Sequence, residues 1–385
     1  KNLLKSVEIT MPNTQIDYSE LSTSANYELV AEKYRPIFKK IAEGTLQRET
    51  EIILPFEPIQ WLKQVGFGAV RVPVKYGGNG LSLPQLFQLL TELAKADSNV
   101  IQALRGHFAF VEDRLIAHRD RNQQVWFNRF VQGDLVGNAW TEVGSVKIGG
   151  VLTRVTRNAQ GQLEVNGSKY YSTGSIFADW IDLYAYDDVN QRAVIAAVNR
   201  HDQGVSVLDD WDGFGQKTTG SGTLTLKNVP VEDSHLIAFE DRFKYQTAYY
   251  QQFHLATLTG IAQSAVDSFS HEVRERKRIF SHGNADLARH DAQVLQVIGQ
   301  ASANAYASEA ITQKVAESLQ QAYLSHFESS EVLEHQANVA AELESAQGQV
   351  VVSKLVLDLT SNLFNALSAS ASSRAKQLDR FWRNA

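Results

Sequence analysis

The chain contains no cysteine among its 385 residues. Disulfide bonds, cysteine nucleophiles and thiolate metal sites are therefore all excluded. A His-Glu-x-x-His pair, a phosphate-binding Walker loop and a nucleophile elbow are also missing, so we expect no metal site and no hydrolase chemistry of those types. No apolar run approaches the ~18 residues of a membrane span, and the first twenty residues lack the layout of a signal peptide. These absences predict a cytoplasmic protein that does not enter a membrane.

Acidic residues outnumber basic residues, so the formal net charge is −6 and the isoelectric point is near 6.0. A polyanion would not be attracted to such a molecule as a whole, so we expect no binding to nucleic acid or to acidic membranes. The glycine pairs Gly213/Gly215 and Gly220/Gly222 lie in a β-rich stretch with no helix behind them. This context argues against a Rossmann dinucleotide-binding unit.

Hydrophobic periodicity divides the chain into three parts, which we predict as domains over residues 1–134, 135–240 and 241–385. The first part has helical spacing. Ser82 and Pro84 mark a helix start before a periodic run at residues 83–95, and Pro58 suits the first turn of another helix. Residues 71–80 contain a proline and three glycines and are expected to form an ordered loop.

The middle part changes to a period of two, which predicts β-strands. Asn166-Gly167 is typical of a hairpin turn, and residues 187–190 form a second polar turn between alternating runs. From about Tyr245 the helical period returns over three or four helices, which is typical of an up-and-down bundle. The fold class is therefore α+β, with an N-terminal helical domain, a central antiparallel β-barrel or sandwich and a C-terminal helical bundle.

Two clusters in the β region carry most of the functional information. The first covers residues 137–145 and the second covers residues 166–174; both combine hydroxyls, free backbone N–H groups, aromatic faces and glycines. Such strand ends form a plausible cradle for a flat, hydrogen-bonding cofactor such as a flavin. The alternative is that Asn138, Thr141, Ser145, Ser172 and Thr173 are ordinary strand residues on a solvated face.

Other candidates each have a structural alternative. Trp140, Tyr171 and Trp211 could fill a core, although Trp211 lies in a polar turn where a core residue is less expected. The basic group Arg274, Arg276, Lys277 and Arg278 is either a solvated helix face or a phosphate site, because arginine offers a two-pronged donor to phosphate. His107 is either a satisfied core histidine or a general base between apolar walls.

The order of the three parts, with Trp140-Thr141-Glu142 in the first cluster and Asn166-Gly167-x-Lys169 in the second, resembles the acyl-CoA dehydrogenase superfamily over nearly the whole chain. Within it, the chain is most similar to reduced-flavin monooxygenases of the dibenzothiophene and dimethylsulfone type. Three segments carry this similarity: residues 170–174 in place of Trp-Ile-Thr-Asn, residues 209–211 followed by 220–222, and residues 379–384. The resemblance implies an acyl-CoA dehydrogenase-like fold with a C-terminal four-helix bundle.

The resemblance also implies a chemistry. Reduced FMN, rather than FAD, would come from a separate NAD(P)H-dependent flavin reductase and react with O2 to give a C4a-peroxyflavin. That species would oxygenate a small organosulfur or similar apolar substrate in a cytoplasmic homotetramer. The implied catalytic residues are His107 and Thr173. The implied cofactor-binding residues are Asn138, Ala139, Trp140, Thr141, Glu142, Val143, Lys169, Tyr170, Tyr171, Ser172, Thr173, Trp211, Arg276, Arg278, Ala369 and Ser370.

The arginines would meet the flavin phosphate of an adjoining subunit, and Ser368 stands where the family has a glycine-rich turn. A further family histidine would lie a few residues after Asn384. Two alternatives remain open on the residues. One is an FAD-dependent acyl-CoA dehydrogenase that removes a hydride and a proton from an acyl thioester. The other is a non-catalytic protein that keeps the flavin-binding fold.

Overall fold

The computed structural model describes residues 25–144, 150–278, 281–367 and 369–385. Ser145 and Ser368 lie outside the described residues. The described chain begins with six helices, continues into a sheet of nine strands and ends with three long helices and one short helix. This order agrees with the helix, sheet, helix pattern expected from the periodicity.

The first helices pack around one apolar core. They are α1 (Tyr27–Glu51), α2 (Phe56–Gln64), α3 (Leu83–Ala96), α4 (Ser98–Ala103), α5 (Arg105–Ala117) and α6 (Gln124–Gln132). The predicted start of α3 is confirmed, because the Ser82 hydroxyl accepts from Gln85 N while the Gln85 side chain accepts from Ser82 N. This reciprocal capping satisfies two amides that the first turn would otherwise leave unbonded.

The expected loop at residues 71–80 is ordered through Arg71, whose side chain is buried. Its Nε donates to Glu112 on α5 over 3.1 Å, and its Nη1 donates to the Leu81 carbonyl over 2.7 Å. Tyr245 also donates to Glu112 over 2.6 Å. The loop is thereby held to α5 and to the chain that enters the last helical part, which keeps the helices on both sides of the sheet in fixed positions.

The sheet has the order β7-β8-β4-β3-β5-β6-β9, with β1 paired to β5 and β2 paired to β4. Its strands are β1 (Val136–Ala139), β2 (Thr141–Glu142), β3 (Arg154–Arg157), β4 (Leu163–Tyr170), β5 (Trp180–Asp187), β6 (Arg192–Asn199), β7 (Val205–Val207), β8 (Leu224–Pro230) and β9 (Leu236–Ala238). The sheet is mixed rather than purely antiparallel as expected, because β1 and β3 both run parallel to β5. Local period-two patterning sets the strands but not their relative directions.

The hairpin expected at Asn166-Gly167 is wrong. Both residues lie inside β4, where the register against β8 shifts between Val165 and Gly167. A Cβ on Gly167 would lie 2.5 Å from Thr153 Oγ1, so the glycine serves close strand packing at a bulge. The turn expected at residues 187–190 is confirmed, because Asp187 Oδ1 accepts from the amides of Val189 and Asn190 between β5 and β6.

The last part contains α7 (Gln246–Glu275), α8 (Ala292–Ser325), α9 (Glu331–Asn362) and the short α10 (Arg380–Asn384). The long helices pack on one another, and α7 and α8 also pack on α3. At the crossing of α7 and α3, a Cβ on Gly260 would lie 2.4 Å from Ala94 Cβ, so only glycine allows this approach. None of the described helices has the length and apolar character needed to cross a membrane.

Candidate active site

The two clusters predicted from the sequence meet in space. Strand β2 of the first cluster pairs with the end of β4, which places Thr141 opposite Tyr170 and Glu142 opposite Lys169. Asn138 N also donates to the Thr173 carbonyl over 3.3 Å. Main-chain hydrogen bonds therefore join two segments that are about thirty residues apart in the sequence, at one edge of the sheet.

A chain of hydroxyls holds Thr173. Its Oγ1 lies 2.6 Å from Ser221 Oγ, which in turn lies 2.8 Å from Thr219 Oγ1. Thr219 donates its single proton to the Gln216 carbonyl over 3.0 Å. With the Thr219 proton assigned to the Gln216 carbonyl, Ser221 donates to Thr219 and Thr173 donates to Ser221. The arrangement leaves the remaining lone pairs of Thr173 available to accept a bond from a ligand.

Tyr171 follows β4 in the left-handed conformation, with φ of 57°, and 47% of its surface is exposed. A bulky residue rarely adopts this conformation, and such strain is concentrated at functional sites. The Tyr171 ring lies 4.7 Å from the ring of Tyr170 and 5.7 Å from that of Trp211, centroid to centroid. Trp211 Nε1 donates to the Gly215 carbonyl over 3.2 Å, which fixes the indole. An accessible aromatic surface thus lies next to Thr173.

Lys169 and Glu142 lock the two clusters together. The Lys169 side chain is buried; its Nζ donates to Glu142 Oε1 over 2.5 Å and to the Trp140 carbonyl over 3.2 Å. Burial lowers the pKa of Lys169, although the hydrogen bond and charge of Glu142 oppose this shift. Because both charged groups are engaged with each other, these residues are suited to hold the strand ends in place for a ligand.

The Trp140 indole is fixed from behind by a buried ion pair. Trp140 Nε1 donates to Asp182 Oδ1 over 2.8 Å, and Arg242 Nη1 donates to Asp182 Oδ2 over 3.0 Å. Burial disfavours the charged guanidinium, but Asp182 and Asp113 outweigh it and hold the pKa of Arg242 above its ordinary value. Neither Asp182 nor Arg242 was among the residues expected at the site. Both occur in ordinary strand and loop patterns, so no local signal marked them.

Two family models match most of the described chain. The model described as acyl-CoA dehydrogenase, N-terminal domain matches residues 24–134, and the model described as acyl-CoA dehydrogenase, C-terminal domain matches residues 253–385. The chain belongs to the acyl-CoA dehydrogenase superfamily. The two matches cover the helical parts on either side of the sheet.

Individual relatives are similar over nearly the full length. The Pseudomonas putida protein named probable FMNH2-dependent monooxygenase SfnC is 23% identical over 357 residues, covering 91% of this chain and 88% of that protein. The FMN-bound structure of TdsC from Paenibacillus sp. A11-2 superposes with a TM-score of 0.83 at 26% identity and covers 92% of each chain. Methanesulfinate monooxygenase MsuC from Pseudomonas fluorescens shares the fold, with a TM-score of 0.82 at 23% identity over 92% of this chain and 90% of that one.

His107 lies in the packed core of this acyl-CoA dehydrogenase fold, away from solvent. Val136 N donates to its Nδ1 over 3.2 Å, so Nε2 carries the proton and donates to the Gly68 carbonyl over 2.8 Å. Burial lowers the pKa of His107 to about 4. Both ring nitrogens are engaged with main chain, which supports a role in placing β1 against α5. The catalytic role expected from the resemblance stays a prediction.

Four of the expected cofactor-binding residues lie at the end of the long helices that is opposite to Tyr250. They are Arg276, Arg278, Ala369 and Ser370. The arginines follow the last residue of α7, where Arg276 Nε donates to the Arg278 carbonyl over 2.8 Å. Tyr250, whose ring lies 5.8 Å from that of Trp140, is near the beginning of the same helix. At 1.5 Å per residue, about 40 Å of helix separates the arginines from Tyr250. The arginines of one chain therefore lie far from Trp140 in the same chain.

The glycines of the clusters serve different purposes. A Cβ on Gly137 would lie 2.4 Å from Ser175 Cα, and one on Gly174, where φ is 76°, would lie 2.0 Å from the Ala103 carbonyl oxygen. These two glycines thus allow close packing within the chain rather than the approach of a ligand. Gly144 is different, because no atom of the described residues lies within 4 Å of its Cβ position.

The segment at residues 379–384 packs against the loop that carries the hydroxyl chain. Asn384 Oδ1 accepts from Gln216 N over 2.8 Å, and the Asn384 carbonyl accepts from Gln216 Nε2 over 2.7 Å. The rings of Trp382 and Phe214 stack with centroids 5.8 Å apart. Gln216 also accepts from Thr219, so this segment positions the far end of the hydroxyl chain that reaches Thr173.

Proposed function

We propose that this protein is an FMNH2-dependent monooxygenase that receives reduced FMN from a separate NAD(P)H-dependent flavin reductase. It would use O2 to oxygenate a small organosulfur substrate or a similar molecule. The observation that carries the proposal is the meeting of the two clusters, which puts the exposed ring of Tyr171 beside the oriented hydroxyl of Thr173. The likeness to FMN-bound TdsC and to SfnC supports the same chemistry.

The residues present fit a flavin. Tyr171 and Trp211 offer an aromatic surface for a flat ring system, and the main chain of residues 138–143 and the Thr173 hydroxyl lie at its side for polar contacts. The buried Asn138 Oδ1 has no hydrogen-bond partner in the described chain, which leaves an acceptor available at this edge. When bound in its reduced form, FMN would supply the electrons that activate O2.

The direction of the hydroxyl chain favours the reduced cofactor. Thr173 gives its proton to Ser221 and can only accept from a ligand. A reduced flavin carries an N–H at N5, whereas an oxidised flavin has an unprotonated acceptor there. Thr173 would therefore hold the N5 edge of the reduced form. The fixed indole of Trp140 would keep the adjoining wall in place and limit the access of water.

The proposed function is tested by oxygen consumption with purified flavin reductase, NADH and FMN in the presence of a candidate organosulfur substrate. We expect oxygen uptake and an oxygenated product only when all components are present. A parallel anaerobic sample with FAD and an acyl-CoA should show no bleaching of the flavin. Turnover with FAD and acyl-CoA, without any turnover on FMNH2, would contradict the proposal and support the dehydrogenase alternative.

We also propose that the protein is a homotetramer. The helices α8 and α9 expose large apolar side chains, including Tyr306 at 76% and Val350 at 74%. Exposed apolar surface of this kind marks association sites in soluble proteins. Because about 40 Å separates Arg276 and Arg278 from Tyr250 in one chain, association would let Arg278 of the partner subunit reach the phosphate of FMN. Light scattering on the purified protein tests this directly, since a monomer would contradict it.

The remaining assignments follow from this function. We propose three domains over residues 1–134, 135–240 and 241–385, because the six helices, the nine strands and the last helices fall within these limits. We propose a cytoplasmic location, because the NAD(P)H used by the reductase is a cytoplasmic reductant. Limited proteolysis and cell fractionation test these two proposals.

A further inference from the structure

A second group of polar residues lies next to Trp140 of the first cluster. It comes from the first turn of α5 and the first turns of α7, and its members are half-buried: Arg105, Tyr250 and His254. Arg105 Nη1 lies 3.3 Å from His254 Nε2, and the Arg105 guanidinium carbon lies 5.5 Å from the centre of the Tyr250 ring. The Tyr250 ring lies 5.8 Å from that of Trp140. The three residues therefore form one group that reaches Trp140 of the first cluster.

The backbone fixes this position. A Cβ on Gly106, the residue after Arg105, would lie 2.8 Å from Asn138 Cβ, so the first turn of α5 rests directly on β1. Tyr250 and His254 are four residues apart on α7 and share one face of that helix. Arg105 is thus held between the edge of the sheet and α7 rather than at the end of a mobile loop.

Arg105 differs in its partners from three more deeply buried arginines. Arg48 pairs with Asp97 at 2.8 Å, Arg71 with Glu112 at 3.1 Å, and Arg242 with Asp182 at 3.0 Å. In the described chain no carboxylate lies within ion-pair distance of Arg105, and its buried Nε has no hydrogen-bond partner. An interior positive charge without a counter-charge is costly, so it indicates that a ligand supplies the negative charge.

The neighbours of Arg105 are neutral groups rather than counter-charges. A guanidinium can only donate, so His254 Nε2 is the acceptor of their bond and the imidazole proton lies on Nδ1. Burial and the charge of Arg105 lower the pKa of His254 to about 4, which keeps this ring neutral at pH 7. The Tyr250 hydroxyl is buried and has no hydrogen-bond partner among the described residues. The nearest charged pair, Arg242 with Asp182, lies behind Trp140 and is paired within itself.

We propose that Arg105, Tyr250 and His254 form a subsite for an oxyanion group on the substrate, such as a sulfinate or a carboxylate. This inference rests on the proposed function and refines its substrate class. The negative group would pair with Arg105 and accept a second bond from Tyr250, while the short apolar part of the molecule packs against Trp140. The substrate is then a small amphiphilic anion, which narrows the small organosulfur or similar apolar substrate expected from the resemblance.

The first test measures ligand binding to the full-length protein by calorimetry, with methanesulfinate, acetate and uncharged dimethyl sulfone as probes. Wild-type protein should bind an anion and should bind dimethyl sulfone more weakly. Arg105→Met should weaken anion binding by about 10- to 100-fold, the range expected for losing hydrogen bonds to a charged group. Arg105→Lys should retain part of the affinity. A preference for methanesulfinate over acetate identifies a sulfur oxyanion, and the reverse identifies a carboxylate.

Two further variants keep the result interpretable. Arg192→Met removes an exposed arginine of β6 and should leave anion binding unchanged. Tyr250→Phe removes only the unpartnered hydroxyl and should weaken anion binding by about 3- to 10-fold without unfolding the protein. Equal anion affinity in wild-type and Arg105→Met protein would overturn the inference, as would tighter binding of dimethyl sulfone than of either anion. Titration with FMNH2 is done separately, so a failure of flavin binding contradicts the proposed function and not the oxyanion subsite.

Discussion

The hydroxyls of Thr173 and Ser221 lie 2.6 Å apart although 48 residues separate them in the chain. Ser221 bonds onward to Thr219, and Thr219 donates to the Gln216 carbonyl. The Gln216 carbonyl lies at the far end of this chain of hydroxyls. It thus decides the direction in which the Thr173 hydroxyl donates its proton. This relationship converts a common strand-end threonine into an oriented acceptor, and the first prediction depends on it.

Replacing Thr173 with valine should weaken binding of FMNH2 and slow oxygenation, each by about tenfold, because an isosteric side chain then lacks the acceptor. Ser221→Ala should have a smaller effect and should reduce the preference for FMNH2 over FMN, since Thr173 could then donate. Fluorescence titration with both redox forms measures this preference. Thr156→Val, on a half-buried position of β3, is the matched control. An unchanged preference in both site variants would remove Thr173 from the cofactor edge.

Because the backbone at Tyr171 is left-handed, we predict that two truncations of this side chain differ in stability. Tyr171→Gly and Tyr171→Ala both remove the ring and should weaken FMNH2 binding to a similar extent. The glycine variant should nevertheless be more stable than the alanine variant by about 1 kcal/mol, because only alanine keeps a Cβ in this conformation. Urea unfolding measures the stabilities. Equal stabilities would show that the backbone strain is not present in solution.

We predict that the folded protein loses stability in acid because of His107. Its pKa is lowered from 6.5 to about 4 in the folded protein, so the unfolded chain binds a proton first as the pH falls. The contribution of the neutral ring is present above pH 6.5 and is lost as the pH falls from about 6.5 towards 4. Its size is about 3 kcal/mol, because the pKa of His107 is about 4 in the folded protein and 6.5 in the unfolded chain. Urea unfolding at pH 7 and pH 4.5 should show this loss.

The variant His107→Asn separates the two roles considered for this residue. If His107 only positions β1, the variant should lose stability at pH 7 and should show a weaker pH dependence of unfolding, while its residual kcat follows the folded fraction. If His107 is catalytic, kcat should fall steeply in protein that remains folded. His118, a partly exposed histidine that bonds to Tyr76, provides the matched control as His118→Asn.

We predict that the exposed Arg278 contributes to FMN binding in a neighbouring subunit. Arg278→Ala should weaken FMN binding by about tenfold and leave the unfolding free energy nearly unchanged, because the side chain is at the surface. Arg192→Ala is the control at another exposed position. Mixed oligomers of Arg278→Ala with Tyr171→Ala chains should recover some wild-type sites if the arginine acts on the neighbour. Unchanged affinity in Arg278→Ala would remove this residue from the site.

Helix starts and the identity of the cradle segments were predictable from the sequence. The capping residues around Ser82 and the turn at Asp187 act within a few residues of chain, and both are confirmed. The pairing direction of the strands and the bulge at Gly167 were not predictable, because they depend on which distant segment lies alongside. The residue types located the two clusters, and the structure shows that hydrogen bonds join them.

The sequence by itself determined the three-part order and the chemical types gathered at residues 137–143 and 169–174, because local periodicity and turn chemistry act over short distances. Only the tertiary structure decided what these groups can do. It directed the Thr173 proton to Ser221, placed His107 between two main-chain groups and left Arg105 with no carboxylate partner among the described residues. The direction and partner of a side chain depend on the elements packed against it, and those elements come from distant parts of the chain.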